Sequence, residues 1–176
     1  MPRALGHAER RSRRTQALRS SFVLREDGVS LRVSLGACFE MHLGLRLRAD
    51  EAKRCMHRVF GRGSRWDPQL RELRFVPGAF PETDGKLDNL AEALARIAWR
   101  PLTPRLVAAA LGISGQERVR WTKDGRLPQS GQALARRSAL LPVPTYAVTL
   151  IEELAAHPET VAVWREQDAA VAKTRA

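Results

Sequence analysis

The stretch LTPRLVAAALGISGQERVRWTKDGRLP, residues 102–128, decides how this chain is read. Its residue order predicts two short helices joined by a tight turn. Thr103 is a capping residue type, and Pro104 suits a first helical position, where the missing N–H costs no hydrogen bond. Leu106, Val107, Ala110 and Leu111 give the first helix an apolar face. Gly112 can adopt the positive φ that ends a helix, and Ile113 is placed to plug the corner. Ser114 and Glu117 have the spacing of a capping box. A second helix is therefore expected from there, through Trp121 and stopping at Gly125. Two helices across a short Gly-containing turn form the helix-turn-helix pattern, whose second helix commonly enters the DNA major groove.

The segment resembles the helix-turn-helix of MerR-type regulators and of phage or plasmid excisionases. The Ala108-Ala109 pair, Leu111-Gly112-Ile113-Ser114, Trp121 and Gly125-Arg126-Leu127-Pro128 carry the resemblance, which covers residues 102–128 and little else. It implies that Ser114, Gly115, Gln116, Arg120 and Lys123 face double-stranded DNA. One position departs from the family pattern. An apolar residue is the rule four places after the Ser, and Arg118 stands there, followed by Val119. Either the helix is rotated or Arg118 snorkels out of a shallow site. In the resulting interface Gln116 and Arg120 read bases, since Gln suits adenine and Arg suits guanine. Ser114, Arg105, Lys123, Arg126, Arg136 and Arg137 hold phosphates, with Gly115 and Arg118 on the same surface. The competing reading is a helical hairpin that only packs.

Charge fits a polyanionic partner. The chain carries 30 Lys plus Arg against 19 Asp plus Glu, a net charge of +11. A basic excess of this size favours nucleic acid or an anionic surface. It is unevenly placed: residues 1–20 hold six Arg and one Glu, residues 101–141 hold seven basic and two acidic residues, and residues 66–100 hold five basic and six acidic. Only four of the basic residues are Lys, so an Arg-rich habit contributes to the total, but it does not explain the contrast between segments.

The 176 residues suffice for one domain or two small ones. They divide into a flexible basic arm at 1–20, a small α+β unit at 21–83, and a helical domain at 84–176 with the helix-turn-helix at 103–125. The arm has clustered Arg without apolar periodicity, as a solvated tail or a phosphate-binding extension would. In the second part, Asp27-Gly28 between β-prone runs signals a hairpin, with Val29, Leu31, Val33 and Leu35 on one face. Ala37 to Leu47 is open between helix and strand, with alternation favouring extended structure at its end. Asp50 is a candidate cap for a helix over Glu51 to Phe60. Arg71 to Val76 reads as a short strand or irregular chain. Pro77-Gly78 and Pro81 keep the next stretch irregular. Asp84 then caps a helix whose stripe is Leu87, Leu90, Leu94, Ile97 and Ala98.

After Gly125, residues 126–144 are open between a basic wing and a helical turn at Ala133-Leu134-Ala135. Pro144 opens a helix through Leu154, and a last helix follows His157-Pro158. These C-terminal helices are packing elements or a surface for a homodimer or a protein partner.

Other chemistry is sparse. Cys38, His42, Cys55 and His57 form a conceivable zinc set, but Cys55 and His57 are two apart and diverge on a helix. No nucleophile elbow and no phosphate-cradling glycine motif occurs. No cofactor, metal or catalytic group is implied. The longest apolar run falls short of a membrane span, and the N-terminus lacks a secretory apolar centre, so a cytoplasmic location without a membrane partner is expected. The expectation is an α+β, mostly α-helical protein that is non-enzymatic and binds DNA in a sequence-directed way, as a transcriptional regulator. The alternatives are an accessory factor of a mobile element, or a protein-interaction adaptor with a degenerate helix-turn-helix.

Overall fold

A computed structural model describes residues 7–26, 29–61, 63–78, 80–136 and 140–174. The chain is α+β and mostly helical, as the sequence predicts. It divides into two compact units, Met1–Trp99 and Arg100–Ala176.

The N-terminal unit runs α1 (His7–Ser20), β1 (Val23–Glu26), β2 (Leu31–Ser34), α2 (Gly36–Met41), α3 (Leu43–Arg46), α4 (Ala49–Phe60), β3 (Arg65–Asp67), β4 (Glu72–Phe75) and α5 (Phe80–Ala98). The strands form one antiparallel sheet in the order β1-β2-β4-β3. Alternation governs β2: Leu31 and Val33 are buried, while Arg32 and Ser34 face the other side. Val29, expected on the apolar face, lies outside the strand and is 77% exposed. Leu73 and Phe75 continue the buried face in β4. The α5 stripe of Leu87, Leu90, Leu94, Ile97 and Ala98 is buried in the same core, so α5 belongs to this unit. The boundary falls after Trp99 rather than at 83.

Residues 7–20 are not a free arm. They form α1, which packs on α5 and buries Leu18 completely. Arg19 donates to Asp84 at 2.5 Å and to Asp88 at 3.0 Å, and Arg11 pairs with Glu92. Arg14 lies over the Trp99 ring at 5.3 Å. The physical reason is complementarity: the acidic surplus of residues 66–100 lies largely on α5 and neutralises arginines of α1.

Residues 43–46 are helical instead of extended. Leu43, Gly44 and Leu45 are all buried in α3. A Cβ on Gly44 would run into the carbonyl oxygen of Ala98 on α5, so glycine is required for this close approach. The helix α4 starts at Ala49, ahead of the expected Glu51: Arg48 occupies its N-cap and Asp50 lies in its first turn, favourable to the helix dipole. Arg48 is 7% exposed and donates to the Ile97 carbonyl at 3.2 Å, near the C-terminus of α5. Strand β4 matches the short strand anticipated from Arg71 to Val76, whereas β3 has no counterpart in the sequence reading. Helix α5 begins at Phe80, with Pro81 inside its first turn, where Pro is tolerated. The Asp27-Gly28 turn lies outside the described residues.

The C-terminal unit runs α6 (Pro104–Leu111), α7 (Gly115–Lys123), β5 (Gly131–Arg136), β6 (Leu140–Thr145), α8 (Val148–Ala156) and α9 (Pro158–Thr174). Its core is Leu102, Val107, Ile113, Trp121, Leu127, Tyr146, Val148 and Ile151. Residues 131–136 and 140–145 pair as an antiparallel ribbon and not a helical turn, with Gly131 opposite Thr145 and Arg136 opposite Leu140. Two prolines, Pro142 and Pro144, stand in β6. They share the side of the strand on which Tyr146 exchanges hydrogen bonds with Leu102 (2.8 and 3.0 Å), away from β5. Their missing N–H groups therefore cost the β5–β6 ladder nothing, and they blunt the outer edge. The ribbon runs through Pro144 to Thr145, and the helix expected from Pro144 starts at Val148. Among the described residues no helix is long and apolar enough to cross a membrane.

Candidate nucleic-acid interface

The turn between α6 and α7 forms as the sequence predicts. Pro104 occupies the first turn of α6, and Thr103 sits at its N-cap without a side-chain hydrogen bond. Gly112 is left-handed (φ 61°, ψ 38°), and the buried Ile113 fills the corner. Ser114 caps α7 reciprocally. Its Oγ accepts from the Glu117 N–H at 3.1 Å, and its own N–H donates to Glu117 Oε2 at 2.6 Å. Helix α7 ends at Lys123, and Gly125 turns the chain at φ 86°. The Leu127 N–H then bonds back to the Trp121 carbonyl at 2.8 Å.

Helix α9 supplies what the local sequence does not reveal. Trp164, Arg165 and Asp168 share one face of α9 and clamp the α6–α7 pair. The Trp164 and Trp121 rings meet edge to face at 5.0 Å. Asp168 accepts from Trp121 Nε1 (2.9 Å), Arg120 (2.7 Å) and Arg126 (2.7 Å). Arg126 holds its carboxyl below the ordinary range, helped by the Trp121 N–H. Arg165 donates to Glu117 at 2.7 Å and to the Gly112 carbonyl at 2.9 Å, stapling the turn. The Arg165 and Ser114 hydrogen bonds lower the Glu117 pKa to about 2.

This clamp sorts the ten expected contact residues. Asp124, Asp168 and the Trp164 carbonyl hold the guanidinium of Arg126, which also lies over the Trp121 and Trp164 rings. Those carboxylates raise its pKa, so it is a fixed cation of the fold. Arg118 is likewise turned inward and donates to the hydroxyl of Tyr146 at 2.9 Å. That hydroxyl is shared with Thr122 at 2.9 Å, and the Thr122 hydroxyl in turn binds the Arg118 carbonyl. Tyr146 is fully buried, so Arg118 gives a buried phenol a hydrogen-bond donor. Val119 faces outward, 41% exposed. The Ser114 oxygen is engaged in the cap.

The outer face of α7 remains. A shallow depression there is lined by Gly115, Gln116, Val119, Arg120 and Lys123. Gln116 and Lys123 are exposed, and Gly115 leaves open space where a Cβ would stand. Arg120 leaves its side chain 54% exposed while its tip touches Asp168. Arg105 is exposed in the first turn of α6. Arg136 closes β5, and Arg137 lies outside the described residues.

The cysteines and histidines of the conceivable zinc set have other neighbours. Cys38 contacts Ser21 Oγ at 2.8 Å, and His57 contacts Ser64 Oγ at 3.3 Å. Burial pushes both cysteine thiols up. Among the described residues no group of three or more His, Cys, Asp or Glu is placed to hold a metal.

Against family models, curated proteins and solved structures, the chain finds no match.

Proposed function

We propose that the C-terminal unit is a winged helix-turn-helix that binds double-stranded DNA in a sequence-directed way, without catalysis. The observation that carries this reading is the sorting of side chains on α7. Arg118 and Arg126 are tied into the fold, while Gln116, Val119, Arg120 and Lys123 share one outer face beside the small Gly115. Gly115 permits close approach of the backbone, Gln116 and Arg120 suit adenine and guanine, and Val119 suits a thymine methyl. Lys123 adds a phosphate contact one turn on. The ribbon that follows α7 in the chain ends its first strand at Arg136, where a wing would meet backbone phosphates.

Transcriptional regulation in the cytoplasm is the use we assign to this interface. An accessory role in a mobile element uses the same chemistry. Selection of bound duplexes from a random pool at near-physiological salt tests the reading. An enriched motif is expected, and its symmetry reports whether a dimer forms through the C-terminal helices, where Val163 and Val171 stay about half exposed on α9 (47% and 51%). No enrichment would move the unit to the adaptor class.

A further inference from the structure

The sheet of the N-terminal unit carries a second basic surface, built from residues that sequence motifs do not connect. Its register sets Arg25 of β1 opposite Arg32 of β2, Arg32 opposite Arg74 of β4, and Arg74 opposite Arg65 of β3. Four arginines therefore cross all four strands in one row. They lie on the face opposite Leu31, Val33, Leu73 and Phe75, which is the face away from the core. Arg25, Arg65 and Arg74 are exposed, and Arg32 is half-buried. Like charges directly opposite one another destabilise a sheet, and the exposed Arg25 and Arg65 at the two ends of the row are the cations an anion could neutralise. Arg32 and Arg74 also interact within the protein.

The neighbouring row on this face is Val23, Ser34, Glu72 and Asp67. It brings two carboxylates, and Asp67 Oδ1 is occupied by the Gln69 and Leu70 N–H groups at 2.9 and 3.0 Å. The face keeps a positive balance. It has no aromatic ring in either row, and Trp66 points to the other side against Phe39, 5.9 Å between centroids. A surface without stacking platforms does not suit single strands.

We propose that this row binds the sugar-phosphate backbone of duplex DNA, as a contact surface blind to sequence. Strands spaced about 4.8 Å apart carry the row across about 14 Å. One strand of a duplex presents about four phosphates over that length of axis. This inference stands on the sheet register alone and does not depend on the α7 reading.

The test uses the full chain and a random-sequence duplex, with affinity followed against salt. Replacing Arg25→Gln and Arg65→Gln together is expected to reduce the slope of log K against log salt by about 0.9 for each phosphate that is no longer neutralised. The double replacement relieves like-charge opposition, so its melting temperature is expected at or above the parent's. Arg25→Lys with Arg65→Lys keeps the charge and is expected to keep the slope. Arg54→Gln with Arg58→Gln, on α4, is the charge-matched control and is expected to leave the slope unchanged. An unchanged slope in the folded Arg25/Arg65 glutamine variant overturns the proposal, as does an equal reduction in the α4 control. Preference for an enriched motif is read separately, with Arg120→Ala, so failure of either surface is seen without the other.

Discussion

In the C-terminal unit, Arg126 lies between Asp124, Asp168 and two indole rings. In the N-terminal unit, Arg25, Arg32, Arg74 and Arg65 stand side by side across an open sheet face. The same residue type is a structural rivet in one unit and part of a charged surface row in the other. Net charge does not separate these uses; their place in the fold does. The units also differ in what holds them. The N-terminal unit closes on one broad apolar core. The C-terminal unit adds a polar clamp, in which α9 grips α7 through Asp168, Arg165 and Trp164.

The largest effect expected is at the centre of that clamp. Trp121→Ala removes a fully buried indole and a donor to Asp168, at about 3–5 kcal/mol. Residues 100–176 should lose amide chemical-shift dispersion in NMR spectra, while the first unit keeps its own. Retention of dispersion in both would remove Trp121 from the core. The matching strike on the other unit is Gly44→Ala, which forces a Cβ against the Ala98 carbonyl. Overpacking against that backbone is expected to cost about 3 kcal/mol, and denaturant unfolding reads it directly. A cost near zero would mean that α3 and α5 do not approach as described.

Asp168→Asn sharpens the contrast between fixed and available cations. It keeps the shape and one acceptor but removes the charge that Arg126 and Arg120 share. About 2 kcal/mol of stability is expected to go. The released Arg120 should raise affinity for random duplex, and a fall in that affinity would show that Asp168 positions Arg120 for DNA instead of restraining it.

The pH dependence is the smallest of these effects. The Glu117 pKa is depressed to about 2 from an ordinary 4.5, so its contribution is complete above 4.5 and is lost as pH falls toward 2. With solvent screening it amounts to about 1 kcal/mol. Glu117→Gln can still complete a capping box and should flatten the acid limb of the melting curve between about pH 5 and about 2. Parallel curves for parent and variant would show that the Arg165 pair contributes no stability.

Much of the α6–α7 geometry is legible in sequence because its determinants are local. Gly112 must be left-handed, Ser114 and Glu117 must be three apart, and Pro104 must lead its helix. Arg118 at an apolar family position is legible as an anomaly, but its explanation lies with Tyr146, far along the chain. Asp168 and Arg165 act from α9, and the signal for them is only that they share a helix face with Trp164. The arginine row is invisible without register: β3 is three residues long, and pairing alone aligns Arg65 with Arg74. The basic N-terminus misleads for a related reason. Its arginines read as solvated until α5 places acids opposite them, and Leu18 anchors the helix from a single position.

Base reading by α7 is tested most sharply by comparing the parent chain with Arg120→Ala on a selected duplex and on a scrambled one. The predicted result is a loss of about 1–3 kcal/mol on the selected duplex, with binding to the scrambled duplex little changed. Equal losses on both would reduce Arg120 to a phosphate contact and contradict base reading by the outer face of α7.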